Sequence, residues 1–73
     1  MATFITIEND LITLGQFLKF SKIINNGGEA RHFLLNNVVL VNKTPEQRRG
    51  RKIRNGDVIE INNQEFVVKN QGA

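Results

Sequence analysis

The sequence predicts an α+β domain in which two short helices pack on a small, mostly antiparallel β-sheet. Apolar residues follow helical spacing between positions 14 and 36 and change to a period of two from position 38 onward. The 73-residue length admits one hydrophobic core, hence a single domain over 1–73.

The first element is a short strand, Thr3 to Ile7, β-branched and aromatic throughout. Glu8, Asn9 and Asp10 break it. Thr13 and Gln16 stand at the spacing of a capping box, in which each side chain takes the other's backbone N–H. The helix that follows is expected over 14–24, with Leu14, Phe17, Leu18 and Ile24 on one apolar face and Phe20 and Ile23 widening it. Lys19 and Lys22 share another face.

Asn25-Asn26-Gly27-Gly28 is a strong breaker. A second helix is expected over 29–36, with Glu29 in its first turn, where the helix dipole favours an anion. Ala30, Phe33 and Leu34 face its core side, and Asn37 is suited to end it in the left-handed conformation. Val38 to Asn42 then reads as a strand and 43–45 as a turn. Residues 46–54 form a basic extended segment containing Gly50, and 55–57 a turn. Val58 to Ile61 and Phe66 to Val68 form a hairpin closed around 62–64. The last four residues, 70–73, are expected to fray.

Composition narrows the chemistry. Hydrophobic residues make up 40%, too many for a disordered tail. With no cysteine, a disulfide framework, a thiolate zinc site and a cysteine nucleophile are excluded. His32 is the lone histidine and lacks metal-binding company, so a structural or surface role outweighs chemistry. There is no Ser/His/Asp set, no phosphate-loop glycine pattern and no carboxylate pair in a recognisable pocket. The expectation is a non-enzyme without metal or cofactor. The longest apolar run, Val38 to Val41, is far too short to span a membrane, and the first residues do not read as a secretory signal. A cytoplasmic protein with no membrane partner is therefore expected, and a monomer is expected as well.

The charge is concentrated. Ten Lys+Arg against seven Asp+Glu give a net +3. Six of the ten (Lys43, Arg48, Arg49, Arg51, Lys52 and Arg54) fall within twelve positions that contain one acid, Glu46. Alone, such a run suits a polyanion-binding surface and a solvated loop about equally well.

Specific residues also carry a family resemblance. Glu29-Ala30-Arg31, Leu34, Asn37, Val39-x-Val41-Asn42 and Gly56-Asp57-Val58-Ile59 resemble the αL RNA-binding motif of the S-four domain. Leu14 and Leu18 match the two leucines of that motif's first helix, and the likeness covers about residues 12–61. Three blocks resemble the small stand-alone bacterial subgroup of YaaA-like and YbcJ-like proteins. They are Leu14-Gly15-Gln16-Phe17-Leu18-Lys19, Gly27-Gly28-Glu29-Ala30 and the run from Arg48 to Asp57. The chain departs from the wider pattern at Phe20, where many members carry a basic residue. It also departs at Gly27-Gly28, which replace a Ser/Arg-type lead into the second helix, and at Lys43, which replaces a glycine.

The resemblance implies a protein that binds structured RNA, ribosomal RNA foremost and transfer RNA as a possible target, with ribosomal particles as partners and ribosome assembly as its setting. Arginine offers a planar fork of N–H donors to phosphate, and lysine a point charge. The candidate RNA-binding residues are Arg48, Arg49, Arg51, Lys52 and Arg54, joined by Lys43, Arg31, Lys19, Lys22 and Gly28. In a regular strand Arg48, Lys52 and Arg54 would share one face opposite Ile53, with Arg49 and Arg51 on the other unless Gly50 allows a bulge. Gly28 belongs here because a helix opening after two glycines leaves N–H groups uncovered, although a locally capped turn fits equally well.

The five phenylalanines fall mostly at expected core positions, and Trp and Tyr are absent, which disfavours a base-stacking platform. Two alternatives stand beside RNA binding. One is a protein-interaction adaptor; the other is a helix-turn-helix DNA binder, whose second helix here has few polar side chains near its start.

Overall fold

The computed structural model describes residues 2–71; of the four residues expected to fray, Gly72 and Ala73 lie outside the described residues. The architecture is the predicted one. A five-stranded sheet has the order β1 (Ala2–Ile7), β7 (Gln64–Asn70), β6 (Val58–Ile61), β3 (Val39–Val41) and β4 (Thr44–Pro45). All its pairings are antiparallel except β1 with β7, which run parallel with Ala2 opposite Glu65 and Ile7 opposite Asn70. A second, two-stranded sheet joins β2 (Leu11–Thr13) to β5 (Lys52–Arg54). The helices are α1 (Leu14–Phe20) and α2 (Ala30–Asn36), the latter preceded by a 3-10 turn at Gly27–Glu29.

One core unites these layers. Leu14, Phe17 and Leu18 from α1, Ala30 and Leu34 from α2, and Ile53 from β5 meet the inward residues of the large sheet. Phe17 sits edge-on to Phe66, with ring centroids 5.6 Å apart and planes at 80°. No helix among the described residues is long and apolar enough to cross a membrane.

The capping box forms as expected. Gln16 N–H donates to Thr13 Oγ1 at 3.2 Å, and Thr13 N–H donates to Gln16 Oε1 at 2.9 Å. The far end of α1 differs from expectation, because the helix stops at Phe20 rather than residue 24. Lys22 adopts a left-handed φ of 64°. Its N–H bonds Lys19 O at 3.0 Å, and Ile23 N–H bonds Leu18 O at 2.9 Å. This pair of bonds is a Schellman termination, with lysine where glycine is usual. Ser21 reinforces the stop by donating its hydroxyl to Phe17 O at 2.8 Å. Lys22 therefore leaves the helix and shares no helical face with Lys19. Ile24 still reaches the core from the loop, whereas Phe20 turns outward at 59% exposure.

Other details also shift. Asn37 ends α2 in an extended conformation, φ −136°, and caps it by donating its amide to Phe33 O at 3.0 Å. Phe4 joins Phe20 on the surface, with the Lys69 ammonium 5.6 Å from its ring centroid. Two-residue turns close both hairpins: Asn42-Lys43 between β3 and β4, and Asn62-Asn63 between β6 and β7. All four residues have positive φ, the signature of type I′.

Candidate nucleic-acid interface

The basic segment is a folded loop that ends in a strand, and both ends are anchored. At its start, Glu46 N–H bonds Val39 O at 2.9 Å, which ties the loop to β3. Arg48 to Arg51 then form a turn closed by Arg51 N–H to Arg48 O at 3.2 Å. Two carbonyls of this turn face α1. Leu14 N–H donates to Arg51 O at 2.7 Å and Gly15 N–H to Arg49 O at 2.9 Å, so the loop satisfies amides that the first helical turn leaves without intrahelical partners. The approach is close, since a Cβ at Gly15 would lie 3.4 Å from both Ala30 Cβ and Arg49 Cβ. At its end, fully buried Ile53 pins β5 between exposed Lys52 and Arg54.

This fold distributes the cations differently from a straight strand. Lys52 and Arg54 lie opposite Ile53 as expected. Arg48 joins them through the turn instead of by strand alternation, and Arg51 comes to the same side. Together with Gly50 these four line one open depression of about 540 Å³. Arg49 alone turns the other way, into a groove floored by Gly15, Gly27 and Ala30 and bordered by Lys19. Gly50 provides the bend within an ordinary turn. Its φ is not positive, and an added Cβ would meet nothing within 4 Å.

The loop also holds a residue that the sequence reading passed over as a lone acid. Glu46 is buried, 9% exposed, and its carboxylate accepts from Arg48 Nε at 3.0 Å, Arg48 Nη2 at 3.2 Å and Arg48 N–H at 3.2 Å. Arg51 Nη1 adds a longer contact at 3.4 Å. Hydrogen bonding from Arg48 holds the Glu46 carboxyl down to about 2, against the opposing effect of burial, and Arg48 is shifted up in turn. The available signal in the sequence was an acid two positions before one arginine and five before another.

Two of the loop cations are thus partly engaged. The Arg48 side chain nevertheless remains 77% exposed, while that of Arg51 is 37% exposed. Arg49, Lys52 and Arg54 form no ion pair among the described residues.

The remaining candidates separate. Lys43 sits in the β3–β4 turn, where its ammonium meets Glu60 Oε1 at 2.8 Å; that hydrogen bond raises its pKa. It lines neither the depression nor the groove. Arg31 is exposed on α2, and Lys22 occupies the turn after α1. In the 3-10 turn it is Gly27, not Gly28, that reaches the groove. The Glu29 carboxylate there accepts from the Asn26 amide at 3.1 Å rather than from a lysine or arginine. His32 is exposed, in keeping with a surface role.

A family model described as the S4 domain matches residues 5–69. The chain belongs to that family. The S4 match extends beyond the 12–61 stretch of sequence resemblance to take in the second half of β1 and most of β7, the parallel pair at one edge of the sheet. One S4 relative is a protein of Bacillus subtilis (strain 168) named "Probable ribosome maturation protein RlbA". It is 54% identical over 61 residues, covering 84% of this chain and 86% of the relative. The S4 match spans nearly all of the 73 residues.

Proposed function

We propose that this S4 protein is a non-catalytic RNA-binding protein that grips the sugar–phosphate surface of structured RNA, ribosomal RNA foremost, in the cytoplasm. The observation that carries the reading is the exposed cationic surface of residues 48–54, seated by main-chain bonds on α1, with Arg49, Lys52 and Arg54 unpaired among the described residues. The name of the RlbA relative supports a ribosomal setting and a role in maturation of the particle. Lys19 and Arg49 on the groove side would extend the contact around the loop, giving one RNA helix two flanking positive surfaces.

The deciding experiment replaces Arg49, Lys52 and Arg54 with glutamine and titrates a labelled RNA stem-loop and deproteinised ribosomal RNA. Loss of more than about tenfold in affinity, with an unchanged unfolding midpoint, is expected. Undiminished binding overturns the reading. Neutralising Arg48 or Arg51 is a poorer test of charge, because either change leaves the buried Glu46 carboxylate with fewer partners. A helix-turn-helix protein would prefer duplex DNA, and a protein adaptor would show little response to salt.

A further inference from the structure

Resting on the RNA-binding reading above, we infer that Glu46 is a positioning residue for that site: an acid inside the basic loop whose carboxylate orients Arg48 and Arg51 toward phosphate. In simple charge terms Glu46 opposes an anionic ligand. Its geometry argues the reverse.

The carboxylate is buried and fixed to the sheet through its own backbone, Glu46 N–H to Val39 O. It occupies one edge of the Arg48 guanidinium, taking Nε and one hydrogen of Nη2. The distal edge keeps two parallel N–H vectors, one from each Nη, and these match the oxygen spacing of a phosphate. An exposed arginine on a mobile stem pays rotamer entropy on binding; this one is already oriented. Arg48 N–H on the same carboxylate fixes the backbone that carries the fork. Arg51 contributes Nη1 to Glu46 and lines the same depression. A single buried acid thus sets the direction of two cations, and Lys52 and Arg54 on β5 supply less directional charge beside them.

The test is a binding titration of E46Q against the labelled RNA stem-loop. The amide matches the carboxylate in size and raises the net charge by one, but its NH2 group opposes an arginine donor. E46Q is expected to weaken binding by about three- to tenfold, the effect of one lost hydrogen bond of ordinary net strength. Equal or tighter binding overturns the inference.

A double-mutant cycle separates positioning from general damage. In an R48A/R51A background the same E46Q change should no longer weaken binding, and a full penalty there would overturn the proposal. R48K tests the exposed partner without altering the buried residue or the net charge. It should cost a similar factor, because lysine cannot hold Glu46 and phosphate with the same planar fork; wild-type affinity for R48K counts against the inference. The R49Q/K52Q/R54Q variant keeps the two questions apart. If it binds normally, the RNA reading itself fails; if it loses binding while E46Q does not, only the role of Glu46 fails.

Discussion

Asn42 and Asp57, fifteen positions apart, are joined side chain to side chain: the Asn42 amide donates to Asp57 Oδ1 at 3.1 Å. Each also holds backbone. Asn42 Oδ1 accepts from Val58 N–H at 3.0 Å, and Asp57 Oδ2 accepts from Arg54 N–H at 2.8 Å. These are the Val-Asn and Gly-Asp residues of the family signature, and here they fasten the β3–β4 turn to the end of the basic loop. Replacing Asn42 with alanine removes two such bonds and places a residue ill suited to φ 51°. A loss of about 2–3 kcal/mol in urea unfolding is expected, with RNA affinity unchanged wherever the variant is folded.

Lys22 makes the opposite prediction. Its left-handed conformation is one that glycine adopts without penalty. Lys22→Gly should stabilise the protein by about 0.5–1 kcal/mol, read as a rise in thermal midpoint.

Acid should loosen the loop by releasing Arg48 and Arg51 from the Glu46 carboxylate. The Glu46 carboxyl lies near 2 in the folded protein and near 4.5 when unfolded, so the folded state holds its proton less tightly. Its stabilising contribution is full above 4.5 and disappears as the pH falls toward about 2. Urea midpoints of the wild type and E46Q should therefore differ most near neutrality and converge across that interval. A constant difference down to the lower limit would contradict the assignment.

Binding should also be strongly salt-dependent. If about four to six phosphates are contacted, log K should fall against log salt with a slope of about −3 to −5, and each neutralised loop cation should reduce that slope by about one. Filter binding across a salt series measures both.

Ile53 links stability to the site. It is fully buried on the strand that carries Lys52 and Arg54. Ile53→Ala should cost about 2–5 kcal/mol and, in the population that remains folded, weaken RNA binding by loosening β5. Amide exchange along residues 48–54 would report the loosening directly.

Local signals were readable where a residue's neighbours in sequence decide its structure. Thr13 and Gln16 announced the start of α1 because both halves of the box lie within four positions. Its end was hidden, since Ser21 and Lys22 carry no glycine or proline to mark a stop that depends on backbone bonds to Leu18 and Lys19. The strand Leu11–Thr13 was missed for another reason: three residues have little pattern of their own, and their partner lies beyond residue 50. At the site, the run of cations was legible from composition. Its division into a depression and a groove depends on a turn held by α1, and the burial of Glu46 on a bond to Val39. Neither is encoded in strand alternation.

The parallel union of the first and last strands has a consequence for biogenesis. Ala2–Ile7 emerges from the ribosome well before the segment it must lie against, Gln64–Asn70, which follows it far along the chain. The helices and the β3–β4 hairpin can assemble beforehand, whereas Ala2–Ile7 must wait, β-branched and unprotected, until Gln64–Asn70 has emerged. Removing Gln64–Asn70 would therefore leave Ala2–Ile7 without its partner strand.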